Sequence, residues 1–500
     1  MKILFLIFTV LCGCFICRAE NNAVKDVKNF VKAGFYECDI TPPFGTERPG
    51  GFNKVLIKKI SDPLKVRVMA LSCEKNKIAV IGIDNIGVGS MFLKRLKTSL
   101  PDIKILVSAS HTHYGGNLRD KIDVSKADPI VQRLYMQEGT YHDALYYEYC
   151  LRQTITAVTA AFENLQDVEF SFGRGKVENL IFNRRIRMKD GSTKTHPGKG
   201  NPDNVTYAGP VDDELGVMGI WKKGSDELLG FALNFSCHAC INLEGATADF
   251  CGVAIDTVRA VYGKNAGAVY INGASGDVTQ IDNLSLKKDT GKPIAIKLGR
   301  VIGGEAIKIL ANADKGPVTA LNYLSEKYSA QRRPYIPFAP EDVKKAYDVV
   351  RNSSDKRSVE YRRAKSIVKA AWSRSVNPVP KPFDMELAAV QIGPLVIGST
   401  PGEMFAQFAF DFKKASKHQF SWFSQLSHGL CYIPTADAFA PKTGGGYETV
   451  SASFVPATGH EMVDVIIRLV NKFEKAEAPI AETVPPVNTI WDANTVRKQK

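Results

Sequence analysis

Two histidines spaced two apart, His111-Thr112-His113, follow the apolar run Ile103–Ala109. In an extended chain residues i and i+2 face the same side, so the two imidazoles would converge on one spot, as a metal requires. Phe235-Ser236-Cys237-His238-Ala239-Cys240 offers a further imidazole after another apolar run. The C-x-x-C around His238 admits a structural zinc or a redox pair. A structural zinc would bring a second cysteine pair, so core cysteines are the simpler reading. Gly273-Ala274-Ser275-Gly276-Asp277-Val278-Thr279 has glycines for tight turns and backbone N–H groups for an oxyanion hole, with Asp277 to orient a neighbour and Thr279 to present a hydroxyl. Thr400-Pro401-Gly402-Glu403 is either a helix capping box or the source of a carboxylate ligand, and spacing does not separate the two. Gly429-Leu430-Cys431-Tyr432 leads on to Gly444-Gly445-Gly446-Tyr447-Glu448. A loop tyrosine is ordinarily a packing residue, and its type alone does not nominate Tyr432.

The elements that must position these groups are short apolar runs bounded by charge, which suit buried strands: Val66–Cys73, Ile78–Ile83, Ile103–Ala109, Leu228–Phe235, Gly267–Ile271 and Ala388–Gly398. Helical spacing marks Asp143–Leu165, Val253–Tyr262, Ile294–Ala311, Gly402–Lys414 and Glu461–Phe473. Strands alternate with helices, so the predicted class is α/β, with mixed β-sheets flanked by helices. Pro340-Glu341-Asp342 opens a basic helical stretch, predicted as a solvated insertion over 340–375 between two sheet strands. Most polar motifs sit just after a strand run, which is where open α/β sheets bind ligands.

Composition bounds the rest. The 500 residues are 44% hydrophobic and 23% charged, ordinary for a globular chain. Lys2, the apolar stretch Ile3–Ile16 and Cys17-Arg18-Ala19 are expected to form a secretory signal peptide over 1–19. A rival lipoprotein reading would anchor the chain through Cys14. Either way a secreted or periplasmic protein is expected. Losing Lys2 and Arg18 would lower the net charge from +13 to +11. No concentrated basic run argues for nucleic acid, and no later stretch reaches the ~18 apolar residues of a membrane span. Seven sparse cysteines would remain, which is no disulfide scaffold. A catalytic domain over 23–475 and a tail over 476–500 complete the predicted organisation.

The order Asp39-Ile40-Thr41-Pro42-Pro43, Asp62-Pro63-Leu64, His111-Thr112-His113, Asn183-Arg184, His238, Gly276-Asp277-Val278-Thr279, Pro401-Gly402-Glu403, Tyr432 and Gly446-Tyr447-Glu448 resembles the neutral/alkaline non-lysosomal ceramidases from about residue 33 to about 475. The resemblance implies Zn2+ held by His111, His238, Glu403 and Tyr432. It also implies His113 and Arg184 beside the substrate, with Tyr447 and Asp277 at the same pocket. The expected activity is hydrolysis of an N-acyl amide in a small-molecule or lipid substrate, at a membrane surface where the substrate is a ceramide. Two departures stand out. The family nucleophile is a serine in Gly-Asp-x-Ser-Pro, whereas this chain has Thr279 followed by Gln280, and threonine adds a methyl and a stiffer χ1. The family's C-terminal immunoglobulin-like domain is not expected after Lys475, where only a tail follows. These motivate two alternatives: the same zinc site acting on an ester or glycan derivative, and a non-catalytic lipid- or glycan-binding relative. A metal-dependent amidohydrolase barrel would need further ligands, and His142, His196, His418, His428 and His460 form no such set.

Overall fold

Alternation along the strands decides the architecture. In Lys65–Cys73, Val66, Val68 and Ala70 enter one core while Met69, Leu71 and Cys73 enter another. In Glu214–Lys222, Leu215 and Val217 face one way and Met218 and Ile220 the other. A strand buried on both faces reads as a continuous apolar run, and it needs a layer on each side.

The computed structural model describes residues 29–51, 54–138, 143–241, 243–429 and 431–480. The leader expected at 1–19, its Cys14 and residues 481–500 of the tail lie outside the described residues. A large mixed sheet runs in the order Gly267–Asn272, Leu228–Phe235, Glu214–Lys222, Gln166–Lys176, Lys32–Asp39, Lys65–Cys73, Asn76–Ile83, Lys104–Ala109. Its two outermost pairs are parallel and the rest antiparallel. A four-stranded sheet, Leu321–Ala330, Phe383–Ile392, Leu395–Ser399 and Phe420–Ser424, ends in a parallel pair.

The helices are α1 (Ser90–Ser99), α2 (Pro129–Met136), α3 (Ala144–Glu163), α4 (Asp249–Tyr262), α5 (Lys292–Asn312), α6 (Pro340–Asn352), α7 (Val359–Val376), α8 (Ala406–Ala415), α9 (Tyr447–Ser451) and α10 (Thr458–Val470). The two sheets share a core of Leu71, Leu106, Phe170, Ile271, Ile397 and Trp422, to which no helix contributes. The outer face of the large sheet is covered by α1 and α3 on one half and by α4 and α5 on the other. The outer face of the small sheet is covered by α8 and α10. The layers therefore run helix, sheet, sheet, helix. No described helix is long and apolar enough to cross a membrane.

Three sequence expectations are corrected. Ala388–Gly398 is not one strand: Gly393, at φ 54°, and Pro394 turn the chain between two antiparallel strands. Both strands are buried on both faces, so hydrophobicity carries no mark of the turn. The basic stretch from Pro340 is two helices, α6 and α7, joined through 353–358. With α2 they form a separate small core of Val131, Leu134, Val350, Tyr361 and Val368. The helix expected from Gly402 starts at Ala406, because Glu403–Met404 is a short strand.

Candidate metal centre

Both sheets send loops to one place. His111 follows Lys104–Ala109, His238 follows Leu228–Phe235, and Gly276 follows Gly267–Asn272. The small sheet contributes Glu403 after Leu395–Ser399 and Tyr432 after Phe420–Ser424. Glu403 and Tyr432 are direct partners in a short parallel pair, so the ladder sets them side by side. Gln425, fully buried, ties the sheets together. Its Oε1 accepts the Met404 and Ser275 N–H groups at 2.8 and 3.3 Å, and its Nε2 donates to Ser275 Oγ at 2.7 Å. Gly276 donates to the Met404 carbonyl at 2.7 Å. A Cβ at Gly276 would stand 2.5 Å from the Glu403 carbonyl oxygen, so only glycine allows this approach.

The two histidines of the His-x-His motif do not converge by extended alternation. His111 lies at φ 65°, in the left-handed region that a non-glycine residue rarely adopts. Each imidazole has its own anchor. His111 Nδ1 meets the Ile86 carbonyl at 2.7 Å, His113 Nδ1 the Gly50 carbonyl at 2.9 Å, and His238 Nδ1 the Ser275 carbonyl at 2.6 Å. A carbonyl only accepts, so each Nδ1 carries a hydrogen, and each Nε2 is left to face the others. His111, His113 and His238 then form a group whose ligand atoms all lie within 4.8 Å of one another.

Glu403 Oε2 stands 3.3 Å from His111 Nε2 and 3.3 Å from His238 Nε2. His113 Nε2 is 3.4 Å from His111 Nε2, and the Tyr432 hydroxyl is 3.5 Å from His238 Nε2. Ligands ~2.0–2.1 Å from a tetrahedral ion stand about 3.3–3.4 Å apart, and the observed separations match. Glu403 Oε2 is buried and accepts no hydrogen bond. Burial opposes its ionisation, but His111 first and then His238 hold the carboxyl well below its usual range. Burial and the neighbouring His111 depress His113 to about 3. Burial and the Arg184 charge depress His238 well below its usual value. Acceptor atoms thus face one another across a small space, and a proton or a cation has to lie between them. The donor set fits a nitrogen- and carboxylate-bound metal.

A second layer is saturated by protein. The Arg184 guanidinium donates from Nε to Glu448 at 2.6 Å and from Nη2 to the Gly276 carbonyl at 2.7 Å, and it lies 5.3 Å over the Tyr432 ring. Glu448 is wholly buried and also accepts the Thr195 hydroxyl. Asp277 accepts the Ala406 N–H at the start of α8 at 2.8 Å and Asn183 Nδ2 at 2.7 Å. Both its oxygens are engaged by protein, and burial raises its carboxyl to about 6. The Thr279 hydroxyl donates to Gln280 Oε1 at 3.4 Å and accepts the Ile281 N–H at 3.2 Å. Among the described residues no hydrogen bond joins Thr279 to the imidazoles. Tyr447 meets the Tyr432 ring edge-on at 5.5 Å and is 44% exposed.

The expected ligands His111, His238, Glu403 and Tyr432 are thus brought together, with His113 as close as any of them. Gln425 and Glu448 were not foreseen as site residues. Gln425 does follow a strand, as the ligands do, but nothing in its type marked a clamp. Cys237 and Cys240 are free thiols, and burial pushes Cys240 up to about 12, which leaves it protonated and inert.

Fold and site together define a mixed α/β protein with a buried imidazole–carboxylate pocket able to hold a metal ion. Among solved structures, a ceramidase complexed with C2 is similar, at TM-score 0.66 and 15% identity over 90% of this chain and 77% of that one. The neutral ceramidase from Pseudomonas aeruginosa is similar at TM-score 0.62 and 14% identity, again over 90% and 77%. The chain therefore has the neutral-ceramidase fold. No protein-family model matches the sequence, and no curated protein does.

Proposed function

We propose that this chain is a zinc-dependent hydrolase that cleaves the N-acyl amide bond of a ceramide-like lipid. The observation that carries the reading is the meeting of imidazole Nε2 atoms with the unpartnered Glu403 oxygen, at tetrahedral spacing. His111, His238, Glu403 and Tyr432 would hold the ion. When bound, zinc polarises a scissile carbonyl and lowers the pKa of a coordinated water toward ~7.

The remaining roles belong to this chain's own side chains. His113 is anchored through Nδ1 at the Gly50 carbonyl and is more exposed than His111 or His238, which suits it to a position beside the substrate. Arg184, fixed by Glu448 and Gly276, supplies a preorganised positive charge for the oxyanion that forms at the carbonyl. Thr279 would serve as nucleophile by turning its hydroxyl away from Gln280, and Asp277 braces the segment that carries Arg184. Tyr447, 44% exposed and edge-on to the Tyr432 ring, gives the site a lip suited to an acyl chain. The leader at 1–19 would export the domain, spanning 23–475, to act on lipid outside the cytoplasm.

A second reading keeps the metal and changes the bond. The Thr279 hydroxyl is engaged by its own neighbours, which favours an ester or glycan derivative attacked by water alone. Hydrolysis of a fluorogenic short-chain ceramide by zinc-loaded, chelated and His111→Ala protein tests the first reading. Turnover in the loaded sample, lost in the other two, is the expected result. Full turnover by metal-free protein would sink the metal mechanism. A loaded but inactive protein would pass the case to the second reading.

A further inference from the structure

A cleft of about 580 Å³ lies beside the metal centre, between the strand end that follows Ala330, the α7 helix and the segment 438–453. Three half-buried arginines, Arg332, Arg333 and Arg374, line it, and no carboxylate does. Each guanidinium lies over aromatic rings: Arg332 over Phe383 and Phe454, Arg333 over Phe439, and Arg374 over Tyr335 and Phe338. A cation over a ring face is attracted by the ring without using its N–H donors.

The hydrogen bonds these arginines make use few of their five donors each. Arg333 donates from Nη1 to the Thr449 and Ala452 carbonyls, Arg374 from Nη1 to the Ile336 carbonyl, and Arg332 makes no side-chain hydrogen bond among the described residues. No described carboxylate pairs with any of the three. Arg468, Arg95 and Arg259, by contrast, pair with Glu326, Glu148 and Glu37. Three positive charges held close together without an acid repel one another. That arrangement is stable in function when an anion completes it.

We propose that the cleft binds a phosphate- or sulfate-class oxyanion carried on a larger molecule. Its volume exceeds what the oxyanion alone needs, and its aromatic walls provide a surface for the attached group. The wall is shared with the site: Arg333 holds the Thr449 carbonyl in α9, one residue from the Glu448 that fixes Arg184. The proposal concerns binding and does not depend on the hydrolase reading.

Calorimetric titration with inorganic phosphate and with sulfate, and flotation with phosphatidylcholine vesicles with and without phosphatidic acid, test it on the full chain. Both are compared with Arg332→Gln/Arg374→Gln, with the charge-keeping Arg374→Lys, and with Lys75→Gln/Lys77→Gln as an equal loss of charge elsewhere. The arginine pair should weaken binding by ~10-fold or more. The lysine pair should stay within about threefold, and Arg374→Lys should weaken binding less than the arginine pair does, with metal content unchanged in all. Sensitivity of the inorganic anions alone identifies a free oxyanion, and sensitivity of the vesicles alone a lipid-borne one. Either supports the site. No binding in both arms, or binding weakened equally by the lysine pair, overturns it.

Discussion

Asp84 and Glu403 are both buried carboxylates near strand ends, 2% and 6% exposed, and they are solved in opposite ways. Asp84 accepts the Arg67 guanidinium at 2.6 Å and the Lys65 N–H at 3.0 Å, so its charge is answered within the chain. Burial raises the Asp84 carboxyl, and the Arg67 contact works against that rise. Glu403 Oε2 meets only imidazole nitrogens whose hydrogens point elsewhere. A closed pair is a structural brace. An open cluster of acceptors built by two sheets could hold a cation, since a buried unsatisfied carboxylate is costly.

The largest test separates brace from cation site. Glu403→Gln should lower turnover and zinc content by at least ~10²-fold, beyond what loss of an outer hydrogen bond to a metal ligand costs. The metal-free protein should be no less stable than the parent, since the new amide can donate to the imidazole Nε2 atoms. Metal analysis and thermal melts of chelated samples check both halves. A Glu403→Gln protein that keeps its zinc, or whose chelated form melts far below the chelated parent, would make Glu403 another brace.

Arg67→Met should show the reverse. Removing the cation beside Asp84 leaves an uncompensated buried charge and costs about 3–5 kcal/mol of stability. Urea denaturation measures it. Zinc content per folded molecule should stay that of the parent. Loss of metal without loss of stability would erase the distinction between the two carboxylates.

The same contrast explains how much was legible in the sequence. The strands Lys65–Cys73, Asn76–Ile83, Lys104–Ala109 and Leu228–Phe235 were readable because strands buried on both faces are unbroken apolar runs. That property also hid the Gly393 turn. Gln166–Lys176 and Leu321–Ala330, which carry polar residues on an exposed face, gave no run to see. In the site, the gathering of residues from 111 to 432 followed from the resemblance, not from spacing. His-x-His suggested the right place for the wrong geometric reason, since His111 is bent out of the extended form. Gln425 and Glu448 act only by what they touch across the fold, and no local pattern encodes that. Thr-x-x-Glu left a capping box and a ligand equally open, and the start of α8 is capped from a distance by Asp277.

Asp277 supplies the smallest and most diagnostic test. Its carboxyl sits at about 6 in the folded chain, mainly through burial, against an ordinary value near 4. An acid whose folded pKa is raised favours the folded state most below its unfolded pKa, and that contribution is lost as pH rises through the folded value. Between pH 4 and 6 the parent should therefore lose up to ~3 kcal/mol relative to Asp277→Asn, which cannot ionise. Because Asn keeps one acceptor for the Ala406 N–H, the variant should fold and bind zinc. Melts of the two proteins from pH 4 to 7 read the difference directly. Parallel pH curves would mean that the Ala406 and Asn183 hydrogen bonds outweigh burial, making Asp277 an ordinary ionised cap of the same closed kind as Asp84.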